Sequence, residues 1–140
     1  MGLQIERIPT WSDNYTYLVV CEATREAAII DAPEADQTCA DKDSKPWACG
    51  QEATFALLYM IGDHWITCKG DERDRYGRLI AVCYAGPYDL NAKMVRQGWA
   101  LAYRRYSMDY VDAEAAAKEA GAGMWRGKFV LPWEWRRKKL

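Results

Sequence analysis

The chain has 140 residues, half of them hydrophobic, with seven Trp and nine Tyr, a composition that fits one packed domain and argues against disorder. No apolar run reaches the ~20 residues that a membrane helix needs, and the opening "MGLQIERIPTWSD" has no apolar signal core. The net charge of −1 conceals an asymmetry: residues 1–63 carry 4 Lys/Arg against 11 Asp/Glu, and residues 93–140 carry 11 against 5. An acidic first part can hold a cation and a basic last part can meet a polyanion, although an ordinary dipolar surface accounts for the charges equally well.

In chain order, residues 3–30 read as a three-strand meander, "LQIERIPTW", "YTYLVVCEA" and "AAIID", separated by the turns "SDN" and "TRE". Residues 36–50 form a polar loop around Pro46, and "WACGQEATFALLYMI", residues 47–61, has the apolar spacing of an amphipathic helix. "WITCKGDERDRYGRLIAVCYAG" is two strands joined by a charged turn. "LNAKMVRQGW" is a helix closed by Gly98, and "DAEAAAKEAGAGMW" a helix capped by Asp112. The tail "GKFVLPWEWRRKKL" supplies aromatic anchors and then a solvated basic end. Trp99, Trp125, Trp133 and Trp135 read as core or docking anchors rather than base-stacking platforms. Three strands, a helix, two strands and two helices make an α+β chain. The best match is a five-stranded, partly open barrel of the OB type, a fold that often binds oligonucleotides but does not by itself establish function.

Five cysteines leave at least one thiol over if the others bridge. Cys39 and Cys49 flank the polar loop, and Cys68 and Cys83 flank the hairpin, so two local disulfides are expected. They point to an oxidising compartment, at odds with the missing signal. Zinc fits poorly: there is no CxxC pair and the only histidine, His64, reads as a surface or half-buried residue at a strand entry.

Chemistry concentrates in "IDAPE" and "DRYGR". Cleaving a phosphodiester requires positive charge to offset what builds on phosphorus, and a carboxylate to deprotonate or orient water. Asp31 and Glu34 flank Pro33, which fixes the local backbone. Arg78 follows a tight Tyr-Gly turn into a strand, a rigid mounting for a phosphate-contacting guanidinium. Each residue alone reads as half of a surface salt bridge. Together they point to a phosphodiesterase.

From Ile30 onward the chain resembles the staphylococcal-nuclease-like (thermonuclease) family, through "IDAPEADQTC", "PWACGQEA", "DRYGRLIAVC", "DLNAKMVRQGWALAY" and "GMWRGKFVLPWEWR" in order. The resemblance implies a five-stranded barrel with three helices and calcium-dependent hydrolysis of DNA or RNA. In it a Ca2+-bound water attacks phosphorus. Asp31 matches the metal-binding aspartate, Glu34 the proposed general base and Arg78 one of two phosphate-binding arginines. Tyr76 and Tyr103 match tyrosines lining the nucleotide site. Departures lie upstream. The family arginine five positions before the aspartate falls on Glu26, and the neighbouring Arg25 faces away unless the register slips. The family's first acidic turn becomes "SDNY", leaving Asp13 or Asn14 as the stand-in metal ligand.

Residues 1–35 instead resemble the opening strands of glyoxalase II (hydroxyacylglutathione hydrolase). They carry no implication of that activity, because that family's metal cluster needs a histidine-rich segment. The combination reads as a chimera joined at "IDAPEA", with Cys21 in the foreign part as the unpaired thiol. A secreted ancestor for the nuclease-like part is implied by its paired cysteines. The expectation is a nuclease weakened or silenced by Glu26. The alternatives are a non-catalytic module binding nucleic acid through its basic surface and tyrosines, and a natural or engineered chimera with a purely structural purpose. A monomer is expected, with a strand-exchanged dimer as the hazard of grafted edges.

Overall fold

The structure is a computed structural model that describes residues 2–7, 26–28, 30–73, 79–104 and 107–138. Its main sheet is built on the hairpin of β6 (Trp65–Arg73) and β7 (Leu79–Ala85), paired antiparallel with Cys68 opposite Cys83. Side chains alternate along both strands as the pleat requires: Ile66, Cys68, Ala81, Cys83 and Ala85 are buried, whereas Trp65 and Lys69 are exposed. β1 (Gly2–Arg7) lies antiparallel against the outer edge of β6, and β2 (Glu26–Ala28) runs parallel to β7, giving the order β1–β6–β7–β2. β8 (Tyr88–Asp89) pairs with the end of β7. Two small ladders complete the β structure, β3 (Ile30–Asp31) with β9 (Leu101–Ala102) and β4 (Cys39–Ala40) with β5 (Pro46–Trp47).

Among the described residues the sheet does not close into the expected barrel: β1 and β2 end the path. The middle strand of the expected meander, "YTYLVVCEA", lies outside the described residues, as does the turn of the β6–β7 hairpin.

Four α-helices are described where three were expected: α1 (Cys49–Ile61), α2 (Leu90–Arg96), α3 (Val111–Ala120) and α4 (Pro132–Lys138). Helix α1 buries Cys49, Ala53, Leu57 and Ile61 at intervals of one turn, the stripe that its spacing predicts. Helix α2 is capped by Asp89, whose side chain accepts from the Ala92 amide at 2.9 Å. Its buried Asn91 bridges to β7, donating to the Ala81 carbonyl and accepting from the Cys83 amide. Helix α3 corrects one expectation: Tyr110 occupies its N-cap, and Asp112 lies inside the first turn with Glu114. There the two carboxylates complement the helix dipole instead of capping it. Helix α4 is a further element in the tail, and Arg137 and Lys138 at its end are exposed, as expected of a solvated end. Pro132 at its start, Glu134 in its first turn and Arg136, Arg137 and Lys138 in its last suit both ends of the dipole.

One core gathers Ile30, Leu57, Ile61, Ile66, Met94 and Val95 between the sheet and helices α1 and α2. A second joins Cys39, Cys49, Leu101 and Met124, walled by Trp47, Trp125, Phe129 and Trp133. Trp125 and Trp133 thus serve as packing anchors, as expected. Both expected disulfides, Cys39–Cys49 and Cys68–Cys83, are present, and Cys21 lies outside the described residues. His64 is exposed at the entry to β6, edge-on to Tyr88.

Gly98 follows α2 with φ +78°, and a Cβ there would run into the Ala122 carbonyl. Substituting Gly98→Ala therefore combines left-handed strain with a backbone clash and is expected to cost about 1–3 kcal/mol, read as a lower urea midpoint at unchanged slope. A second prediction concerns alkali. The Tyr110 hydroxyl is held well above the ordinary tyrosine range, first by burial and then by the Asp89 carboxylate to which it donates. A raised pKa favours the neutral phenol in the fold, so this contribution is complete below about pH 10 and fades as pH climbs toward the folded value. The urea midpoint should fall above that pH, and more steeply than in Tyr110→Phe.

Candidate active site

β3 ends at Asp31, whose backbone partner is Leu101 of β9. The chain then passes through buried Ala32 and Pro33 and turns at Glu34, where the Gln37 amide donates to the Glu34 carbonyl at 2.9 Å. Three supports hold this turn. The first is the start of α1: the Gly50 amide donates to the Gln37 carbonyl at 3.0 Å, and a Cβ on Gly50 would collide with the Glu34 carbonyl. The second is the Cys39–Cys49 disulfide, which ties the outgoing strand to the same helix end. The third is the C-terminal segment. Buried Gln37 donates through Nε2 to the Val130 carbonyl at 2.7 Å, and the Trp135 indole donates to Asp36 Oδ1 at 3.4 Å. Arg136 donates to the Ala32 carbonyl at 3.5 Å, with its Nε 4.0 Å from Glu34 Oε1.

The Glu34 side chain is 31% exposed. It is a carboxylate on a rigid backbone with access to solvent, the combination that general-base chemistry needs. Glu26 pairs across β2–β7 with Leu79, the residue that follows Arg78. Position 26 therefore lies on the strand beside the one that Arg78 leads into. Arg78 itself, Tyr76, Asp13 and Asn14 lie outside the described residues, as does Arg25. Tyr103 is described. It meets Trp133 edge-to-face at 5.9 Å, beside a cavity of about 590 Å³ lined also by Arg104, Glu114, Leu131 and Arg137. Arg104 is paired with Glu114 at 3.1 Å. Trp133 and Arg137, one helical turn apart, face this cavity, whereas Trp135 and Arg136 reach the Glu34 turn. Helix α4 thus lies between the two places where sequence put functional residues.

Among the described residues no group of three or more His, Cys, Asp or Glu is arranged to hold a metal ion, and no helix is long and apolar enough to cross a membrane. Arg136, Gln37 and Trp135 were not singled out from sequence as site residues. The "WEWRR" string carries the signal only once α4 is seen to fold back on a turn about a hundred residues upstream.

Glu34 is thus a partly exposed carboxylate on a pinned turn that follows a short strand. The model of the family described as staphylococcal nuclease homologue matches residues 27–127, and the chain belongs to that family. It is 34% identical over 115 residues to an uncharacterized endonuclease of Haemophilus influenzae, covering 80% of this chain and 59% of that protein. It is 33% identical over 102 residues to the succinoglycan biosynthesis protein ExoI of Rhizobium meliloti, covering 71% and 53%. It is 32% identical over 122 residues to the probable endonuclease LCL3 of Arthroderma otae, covering 76% and 42%. The chain thus spans about half the length of these relatives. The family match begins one residue after Glu26, so residues 1–26 fall outside it.

The Cys39–Cys49 bond closes a short loop directly behind the Glu34 turn. Replacing both cysteines by Ser should lower the unfolding free energy by about 2–3 kcal/mol, measured by urea denaturation. Dithiothreitol should destabilise the parent chain in the same direction.

Proposed function

We propose that the chain is a phosphodiester-cleaving enzyme of nuclease type acting on DNA or RNA, and that Glu26 leaves it weak or inactive. The observation that carries this reading is the Glu34 carboxylate, held half-exposed on a turn fixed at three points within the segment that matches the nuclease family. That relatives bear the name endonuclease supports the same reaction class. Glu34 acts as general base, taking a proton from the water that attacks phosphorus as the P–O bond to the leaving group breaks. Arg78 offsets the negative charge gathering on the phosphoryl oxygens. Tyr76 and Tyr103 line the nucleotide site.

Calcium is the metal this chemistry would use. Asp31, with Asp13 as partner, supplies the hard oxygen donors it prefers. The described residues by themselves form too sparse a set to hold the ion. When bound, Ca2+ would add positive charge beside the phosphate.

The family arginine at position 26 would be a second phosphate contact. Losing one such preorganised group costs about 10²–10³ in rate, and a carboxylate in its place adds repulsion. The same reading takes residues 1–140 as one domain, monomeric, with a seam at "IDAPEA" between parts of different origin. A second reading is favoured by the Tyr103–Trp133 cavity with Arg104 and Arg137 on its wall. There the chain binds single-stranded nucleic acid without cutting it, with steep salt dependence and no need of calcium.

Plasmid digestion at high protein concentration, with Ca2+ or with chelator, separates these readings. The parent chain should cut slowly or not at all, Glu26→Arg should cut about 10²-fold faster or more, and adding Glu34→Gln should abolish the gain. Robust cutting by the parent chain that Glu34→Gln blocks would overturn the impairment. Cutting by Glu26→Arg that survives Glu34→Gln would overturn the role of Glu34.

A further inference from the structure

We propose that Arg136 is a positioning residue for Glu34, delivered to the site by the C-terminal helix. The inference rests on the reading of Glu34 as general base and assigns a residue to that function from far along the chain. Helix α4 has seven residues, too few to be stable in water alone, so its place is set by what it docks against. The segment from Val130 to Arg136 reaches the Glu34 turn at Ala32, Glu34, Asp36 and Gln37. Arg136 is the member of this set that touches both backbone and carboxylate. Its guanidinium is anchored on the Ala32 carbonyl, two residues before Glu34, and presents Nε to Glu34 Oε1 at 4.0 Å.

Magnitudes decide what such a contact does. The two side chains are 40% and 31% exposed, and ion pairs of that exposure contribute little to stability. The contact is therefore too weak to be a main support of the fold, which the buried Gln37 bond, the Gly50 contact and the disulfide supply. A free Glu side chain samples many rotamers, however, and a planar guanidinium fixed at one end narrows them. The consequence belongs to the geometry of proton abstraction, where a misplacement of about 1 Å costs up to ~10² in rate.

The test is steady-state cleavage kinetics of the full chain and of its Glu26→Arg form, each with Arg136→Ala, Arg136→Lys or Glu34→Gln. The expected result for Arg136→Ala is a fall in kcat of about 10–100-fold with KM within about threefold. The melting temperature should stay within about 2 °C, and Arg136→Lys should recover most of the rate. A rise in KM at constant kcat would make Arg136 a contact to the substrate phosphate and overturn the proposal. So would an unchanged rate, or a rate loss accompanied by a matching loss of stability. If Glu34→Gln abolishes cleavage while Arg136→Ala does not alter it, positioning alone fails. If Glu34→Gln cuts undiminished, or neither the parent chain nor Glu26→Arg cuts at all, the general-base reading fails and Arg136 loses its role with it.

Discussion

Between the Glu34 carbonyl and the backbone of Gly50 there is no space for a Cβ, and the arrangement of the candidate site follows from that contact. Because the turn can press directly on the first turn of α1, the Gly50 amide reaches the Gln37 carbonyl and satisfies one of the donors that every helix start leaves open. Because Cys49 sits beside Gly50, the disulfide to Cys39 falls on the same spot and holds the strand that leaves the turn. Buried Gln37 then has its side-chain amide aimed at Val130, and the C-terminal segment closes over it. A larger residue at position 50 would push the turn off the helix and weaken each later contact in this sequence. The backbone under Glu34 is stiff for a local reason, and its stiffness is what lets one half-exposed carboxylate keep a defined place.

The charge asymmetry of the chain takes on a more specific meaning in the fold. The acidic first part contributes Glu34 and Asp36 to the turn, and the basic last part contributes Arg136 against it. Part of what reads in sequence as a dipolar surface is thus complementarity between segments about a hundred residues apart. The remaining cations of α4 are not used in this way. Arg137 and Lys138 are exposed and line a depression with Glu134, and Arg137 also borders the Tyr103 cavity. In the proposed function this division has a use. One cation orients the base, and its neighbours raise the local concentration of a polyanion, an effect that weakens with salt.

How much was legible in the sequence depended on how local the encoding is. The stripe Cys49, Ala53, Leu57, Ile61 repeats every turn, so α1 could be bounded to within two residues. The alternation of Ile66 and Cys68 against Trp65 and Lys69 marks β6 just as directly, and the register that sets Cys68 opposite Cys83 follows from the hairpin. Helix α4 was missed because seven residues give barely two turns, and three Trp and Pro residues there serve docking rather than a periodic face. Asp112 was mistaken for a cap because an Asp before an alanine-rich run is the usual signal; the backbone instead enters the helix two residues earlier, at Tyr110. The pairing of Arg136 with Glu34 has no local signature at all. It arises from Gln37, Trp135 and Gly50 acting together, and no spacing rule joins positions so far apart.

Positions 26 and 136 illustrate two ways in which one charged side chain can matter to the same proposed reaction. Strands in a sheet lie about 4.8 Å apart, and Glu26 is in register with the residue after Arg78. Unit charges about 6 Å apart at an effective dielectric near 20 interact by about 3 kcal/mol, equivalent to roughly 10² in rate. Exchanging an arginine for a glutamate alters the charge by two units, so in the proposed reaction its effect on a phosphoryl group would exceed the loss of a single donor. Salt and solvent reduce this figure without changing its sign. Arg136 acts on a different scale. Its contact with Glu34 is too long and too exposed to shift an energy level by that amount, and its leverage is geometric, through the orientation of a proton acceptor. In the proposed reaction, charge at position 26 would set how fast the site can be, and the contact from α4 would set whether the base is correctly aimed. The two effects touch different steps of the same event, one the charge on phosphorus and the other the proton on water. In the proposed reaction a site could keep the second intact after losing the first.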